Sequence, residues 1–324
     1  MSNEIVTVSV VMPVYNHEKY LEEAIQSVVE QETNFKIELL IGEDCSTDAS
    51  ATICKEYEAL YPDLVTVFYR EKNLGALENS YDLLTKAQGK YIIALEGDDY
   101  WTDKSKLQKQ VDFLESHTEY VACCHKFQVV DENGKAYYDR DFECQFFEDK
   151  IYTFKEFEKG YLASHINTIL YLNVFKDETI ETEFFHKFNN VLCDITIMAL
   201  LVSIGNIYCM NENMSCYRKV IATNACNFNS KLEKNNFRDE IFKSQMFLEK
   251  RFNHKISFTN RKKAVFASAV FKWYRDRTEE NFKVVKNIIK FSEETIKYWL
   301  YFTYLVVAKK IVNMIYKEDR RIAF

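Results

Sequence analysis

The chain has 324 residues, enough for one large α/β domain with an appendage or for two modest domains at roughly 100–200 residues each. Its 47% hydrophobic content, with 25 Phe and 21 Tyr, excludes a disordered or collagenous chain, and only 7 Gly and 2 Pro make each of them a meaningful turn marker. A net charge of −7 argues against general nucleic-acid binding, yet the charge is uneven: from Arg251 onward 17 Lys and Arg stand against 7 Asp and Glu.

Nine cysteines in an irregular scatter suggest neither a disulfide framework nor a zinc ladder, which fits a reducing, cytoplasmic setting. The opening MSNEIVTVSVV lacks a basic stretch followed by an apolar core and a cleavage site, so no secretory signal is expected.

Residues 5–12 (IVTVSVVM) form an apolar, β-branched run of strand length, after which Leu21, Ala24, Ile25, Val28 and Val29 recur at helical spacing. The pattern repeats. IELLIG at 37–42 predicts a second strand, followed by a helix with Ile53, Cys54, Tyr57 and Leu60 on one face. VTVFY at 65–69 predicts a third, before a helix marked by Leu77, Tyr81 and Leu84, and YIIAL at 91–95 a fourth. Strands this uniformly apolar, alternating with helices, imply a doubly wound, mostly parallel sheet covered on both faces. Ligands of such sheets bind beyond the carboxyl ends of the strands.

Each of those ends is polar: Pro13-Val14-Tyr15-Asn16, then Glu43-Asp44-Cys45-Ser46-Thr47-Asp48, then Arg70 to Gly75, then Glu96-Gly97-Asp98-Asp99-Tyr100-Trp101. Asp44 and Asn73 can hydrogen-bond a base and ribose, Tyr15 can stack on a base, and Asp98 with Asp99 offers hard oxygen ligands for Mn²⁺ or Mg²⁺. Taken singly, each has a plainer reading: Tyr15-Asn16 as turn chemistry, Ser46 or Thr47 as a helix N-cap, the Asp pair as a solvated turn. Four such clusters on one rim weigh against that, since adjacent carboxylates repel without a cation. The chain contains no GxGxxG after the first strand and no GxxxxGK[ST], which disfavours the glycine-rich phosphate cradles.

The runs VSVVMPVYNHEKYLEEAIQSVVEQ, IGEDCSTDAS and NLGALENSYDLLTKAQGKYIIALEGDDYW together resemble the family 2 glycosyltransferases of GT-A fold, strongly over about the first 115 residues and more loosely to about 220. The resemblance implies a nucleotide-sugar site formed by Pro13, Val14, Tyr15, Asn16, Asp44, Asn73, Glu96, Gly97 and Asp98, with Asp44 facing the base and Asp98 and Asp99 as metal ligands. Many members carry Asp where this chain has Glu96, which makes Glu96 a candidate ribose contact.

Beyond Trp101, KSKLQKQVDFLES predicts a helix, and YVACC with KFQVVDENGKAYY a strand pair around the Asn133-Gly134 turn. Asp194 precedes an apolar helical segment, TIMALLVSIG. By composition it reads as an N-cap; by resemblance it looks like the general base of inverting members, and the two roles are compatible. Tyr217-Arg218-Lys219-Val220 lacks the His that relatives often carry after Tyr-Arg, so Arg218 or Lys219 is a candidate for phosphate neutralisation. Trp101, His125, His165 and Arg218 are candidates for the acceptor side, with ordinary polar packing the competing reading for both histidines.

Residues 232–324 read as helical. The stretch from Tyr298 to Ala308 is too short to span a bilayer and is followed by Lys309-Lys310 and Arg320-Arg321, so 285–324 is a candidate for contact with the inner membrane face, with packing on the catalytic domain or on a partner subunit as the alternative. The expected organisation is a catalytic domain over 1–230, with a nucleotide-sugar half (1–115) and an acceptor half (116–230), and a basic helical extension over 231–324. The expected activity is inverting transfer from a nucleotide-diphosphate donor, a UDP-sugar for preference, to a glycan or lipid-linked glycan in surface-polysaccharide synthesis, in the cytoplasm or peripherally at its membrane. The rival readings are an inert sugar-nucleotide-binding or scaffolding protein and, with less support, a nucleotidyltransferase.

Overall fold

The structure of the chain, a computed structural model, describes residues 5–138, 149–159, 161–176, 193–219, 238–251, 257–292 and 294–319; within these, the side chains of 193–194, 244, 251 and 310–319 are not described. The chain forms two compact units, one of Met1–Phe157 and Tyr161–Asn227, the other of Phe228–Phe324 with Glu158–Gly160.

The first unit is built on one sheet. β1 (Val6–Val14), β2 (Lys36–Glu43), β3 (Val65–Tyr69) and β4 (Tyr91–Ala94) alternate with α1 (Leu21–Val29), α2 (Ser50–Leu60) and α3 (Ala76–Lys86). Val8, Val10, Val11 and Met12 are all buried although successive side chains point to opposite faces, which is why β1 reads as an unbroken apolar run. α1 buries Leu21, Ala24, Ile25 and Val28 at helical spacing and places Glu22 and Glu23 in its first turn, where the helix dipole favours acids.

β1 pairs in parallel with β2 and β4, and β2 with β3. Beyond β4 the sheet contains pairings of both directions. β5 (Tyr100–Trp101) and α4 (Lys106–Ser116) lead into β6 (Tyr120–Val130), followed by β7 (Lys150–Tyr152), α5 (Phe154–Glu158), β8 (Leu170–Leu172), α6 (Cys193–Ile204) and β9 (Asn206–Arg218). The strand order is β3-β2-β1-β4-β8-β6-β9-β5, with β7 also on β9. β6 pairs in parallel with β9 over most of its length, while the short β8 runs antiparallel to β4 and β6, and β5 and β7 run antiparallel to β9, so the sheet is mostly parallel with short antiparallel additions.

The expected strand pair at 120–138 is instead one long strand, β6, with a single antiparallel bridge from Val130 to Ala136 across the Asp131–Gly134 turn. His125 is fully buried within it.

The second unit is helical among its described residues: α7 (Arg238–Arg251), α8 (Thr259–Arg275), α9 (Glu279–Phe291) and α10 (Thr295–Asp319). Phe242, Phe266, Val270, Val285, Ile288 and Leu305 form its apolar core. No described helix is long and apolar enough to cross a membrane.

Candidate nucleotide-sugar site

Register places the expected residues together. Val14 pairs with Glu43 at the carboxyl ends of β1 and β2, and Val11 with Ala94 of β4, so the loops carrying Asn16, Asp44 and Asp98 leave the sheet at one rim. Pro13 and Val14 are themselves the last residues of β1, and Glu43 the last of β2.

The first two loops are tied by reciprocal bonds. The Asn16 side-chain oxygen accepts from the Thr47 amide at 2.8 Å, while the Asn16 amide donates to Ser46 Oγ at 3.1 Å. The Glu18 amide donates to Asp48 Oδ2 and the Ala49 amide to Glu18 Oε2, each at 3.0 Å, and the Ser46 amide donates to Glu43 Oε1 at 2.8 Å. Asn16 and Cys45 both adopt left-handed backbone, φ 57° and 59°, at the sharpest points of their loops. Ser46 and Thr47 therefore do not cap α2; its N-cap residue is Ala49, which has no side-chain cap.

Asp44 is buried, and its carboxylate accepts from the Leu74 amide at 2.7 Å and the Gly75 amide at 2.9 Å. Asn73 is exposed and its side-chain amide donates to the Asp44 carbonyl at 3.2 Å. Gly75 has φ +87°, a left-handed value that lets the loop present both amides to one carboxylate before α3 begins. Asp44 thus fixes the third strand-end loop against the second, while Tyr15 stays half-buried beside the rim.

The acidic motif divides by burial. Asp99 is enclosed: its Oδ1 accepts from the Arg218 amide at 2.8 Å and its Oδ2 from Asn167 Nδ2 at 2.7 Å. Burial, then repulsion from Asp98 and Glu96, pushes its carboxyl well above the usual range against those two bonds. Asp98 is half-buried, and among the described residues its carboxylate accepts no hydrogen bond; only its carbonyl is used, by Arg218 Nε at 3.0 Å. Glu96, Asp99 and His165 bring one ligand atom each within 4.8 Å of one another. Two carboxylates and an imidazole form a donor set that suits Mn²⁺, and the surplus negative charge of three neighbouring acids is what a cation would relieve.

The acceptor-side candidates fall differently. Trp101 is buried, donates from Nε1 to the Asn167 carbonyl at 3.0 Å and has Lys106 Nζ 4.1 Å from its ring centre. His125 lies wholly inside, with Nδ1 2.7 Å from the Lys126 carbonyl, and burial pushes its imidazole well below the usual range. Arg218 is 4% exposed; its guanidinium is held by Glu23 at 2.5 Å, by the Asp98 and Asp131 carbonyls, and by the rings of Tyr20 and Tyr100. It clamps the acidic motif and is not free to neutralise a phosphate. His165 is half-buried, 3.7 Å from Asp99 and packed against Tyr217 with ring centres 4.4 Å apart and the planes tilted by 44°. Asp194 is the second residue of α6, one turn position inside the helix and not ahead of it; its side chain lies outside the described residues.

Asn167 went unremarked in the sequence. It is buried and joins Asp99, the Cys216 carbonyl, Ser215 Oγ and Trp101. A cavity of about 470 Å³ lined by Phe113, Tyr208, Met210 and Glu212 contains none of the expected rim residues.

Residues 9–177 match the profile described as Glycosyl transferase family 2. An uncharacterized protein of Mycobacterium tuberculosis is 44% identical over 126 residues, 39% of this chain and 36% of that protein. The putative teichuronic acid biosynthesis glycosyltransferase TuaG of Bacillus subtilis is 39% identical over 114 residues, 35% of this chain and 44% of TuaG. The matched region thus spans less than half the length of these relatives. Among solved structures, Staphylococcus aureus TarS 1-349 in complex with UDP superposes with a TM-score of 0.58 at 19% identity, covering 89% of this chain and 82% of that one. That likeness shows the fold, a central mixed sheet with flanking helices as in the GT-A glycosyltransferases. With just over half its length inside the family profile, the chain belongs to glycosyl transferase family 2.

Proposed function

We propose that the chain is an inverting glycosyltransferase that moves a sugar from a nucleoside-diphosphate donor, a UDP-sugar for preference, to a hydroxyl of a glycan or lipid-linked glycan in cell-surface polysaccharide synthesis at the cytoplasmic membrane face. The observation that carries this reading is the meeting of the Asn16, Asp44 and Asp98 loops at one rim of a family 2 chain. The UDP of the TarS complex and the teichuronic acid pathway in TuaG's name support the donor class and the setting.

In this reading the knitted loops after β1 and β2 receive the nucleoside, with Tyr15 against the base, and Asp44 acts through the backbone of Leu74 and Gly75 that it holds. Asp98, whose carboxylate accepts no hydrogen bond among the described residues, and the Glu96, Asp99 and His165 group would hold Mn²⁺ or Mg²⁺, which when bound neutralises the diphosphate leaving group. Within that group Asp99 is the residue whose position the protein fixes, one oxygen accepting from the Arg218 amide and the other from Asn167. Asp194 accepts the proton of the attacking hydroxyl. Its place in the first turn of α6 favours the ionised carboxylate needed for that task, and such a base contributes about 10²–10⁴-fold.

Calorimetric titration of UDP, GDP, CMP and dTDP with Mn²⁺, and again with chelator, tests the donor site. Metal-dependent binding of one nucleotide that Asp98→Ala abolishes is the expected result. Asp194→Asn should bind that donor unchanged yet fail to turn over. No binding to any of the four by a folded sample would overturn the donor site and leave the scaffold reading.

A further inference from the structure

α10 has two apolar faces. The inner one packs within its own unit: Tyr298 meets the edges of Phe242 and Phe266 at 5.3 and 5.0 Å, Phe302 lies 5.5 Å from Trp273, and Leu305 is buried. The outer one carries Ile296, Trp299, Leu300, Thr303, Tyr304 and Val307, which recur at three- and four-residue intervals and so form one stripe along three turns. Ile296 is 79% exposed, Leu300 68% and Tyr304 64%, and the stripe contains no charged residue. Single exposed apolar residues need no explanation, whereas a continuous row of this size marks an interaction surface.

The surroundings decide what kind. At the start of α10, Lys262 and Lys263 act electrostatically on Glu294, which itself pairs with Lys297; near the far end Lys309 reaches over the exposed ring of Phe271 at 5.8 Å. These cations belong to a segment in which 17 Lys and Arg oppose 7 Asp and Glu. A second copy of the chain docked on this face would bring two such basic segments together, at a cost in repulsion, whereas anionic headgroups would complement them. Trp299 and Tyr304 have the apolar bodies and polar tips that favour the headgroup boundary. No described helix can cross the bilayer, so α10 would lie in its plane.

We infer that the Ile296, Leu300, Tyr304 and Val307 face of α10 docks on an anionic lipid bilayer. This goes beyond the donor reading and does not depend on it. The test is flotation of the purified full chain with vesicles of phosphatidylcholine alone and of phosphatidylcholine mixed with phosphatidylglycerol, for the wild type and for Leu300→Glu/Tyr304→Glu. The wild type should float with the mixed vesicles about tenfold more than with the neutral ones, and the variant should stay in solution. Light scattering and the UDP–Mn²⁺ titration are read on the same samples. Equal flotation on both vesicles, flotation unchanged in the variant, or no flotation at all would overturn the inference. So would a wild-type dimer that the variant splits into monomers without any vesicle binding. Loss of UDP binding in wild type would count against the donor site and leave the flotation result standing.

Discussion

The backbone amide of Arg218 donates to Asp99 Oδ1 at 2.8 Å while its guanidinium holds the carbonyl of Asp98, so one residue at the end of β9 grips both acids of the motif that follows β4. The antiparallel pairing of Tyr100 with Cys216 and Trp101 with Ser215 brings these distant segments together. The guanidinium is buried and Glu23 is half in solvent, so the ion pair itself contributes little and the enclosed bonds to the Asp98 and Asp131 carbonyls contribute more. Arg218→Met should lower unfolding free energy by about 1–3 kcal/mol in urea titration and weaken Mn²⁺-dependent nucleotide binding. Arg218→Lys should recover little of either, because an ammonium cannot reproduce the planar fork.

Asn167 holds the other oxygen of Asp99. Asn167→Leu strands that oxygen in a fully buried place, at a cost of about 1–3 kcal/mol. Asn167→Asp is harsher at neutral pH, since it sets a carboxylate where an amide now donates at 2.7 Å, yet two carboxyls that close can share one proton. Urea midpoints at pH 5 and pH 8 should therefore show the Asp variant recovering at the lower pH, relative to wild type, while the Leu variant keeps the same deficit.

Lys106 is enclosed with its Nζ bonded to Gln110 Oε1 at 2.7 Å, and burial pushes it well below the usual amine range, against the pull of Cys123 and Asp103. The Trp101 ring gives the charged form a partner at 4.1 Å but does not offset full desolvation. Between its depressed value and the ordinary lysine value of about 10.4, the unfolded chain binds a proton that the folded chain resists. Stability accordingly rises with pH across that window, with a slope approaching ~1.4 kcal/mol per unit. Lys106→Met should flatten that rise in urea midpoints measured from pH 7 to 9; an unchanged slope would show that another group carries it.

How much of this could be read from the chain depended on the reach of each interaction. β1 to β4 were legible because strands buried on both faces leave unbroken apolar runs. β5, β7 and β8 span two or three residues each and leave no period to detect. The convergence of Asn16, Asp44 and Asp98 followed from where those runs ended. The use made of Asp44 did not, because its partners are amides thirty residues away, and Asn167 sits in a three-residue helical turn that no pattern distinguishes. Arg218 looked available because spacing says nothing about a bond between residues 120 positions apart.

Gly97 and His17 offer a test of how the first and fourth loops are fitted together. A Cβ at Gly97 would lie 2.6 Å from His17 Nδ1 and 3.2 Å from both Leu21 and Val14, so the acidic motif passes this wall only without a side chain. His17 is buried, and neither of its ring nitrogens has a hydrogen-bond partner among the described residues, so its ring fills space there without being fixed by polar bonds. Gly97→Ala should cost about 1–3 kcal/mol through overpacking and displace Asp98, weakening metal-dependent nucleotide binding. His17→Ala alone removes the wall while sacrificing no polar bond of the ring. In Gly97→Ala/His17→Ala the added methyl enters the space the imidazole leaves, so the two substitutions should be far from additive. A coupling of about 1 kcal/mol or more in the urea cycle, with nucleotide binding recovered in the double variant, is expected. Additive losses would mean that Gly97 is required by the backbone of the Glu96–Asp99 turn itself.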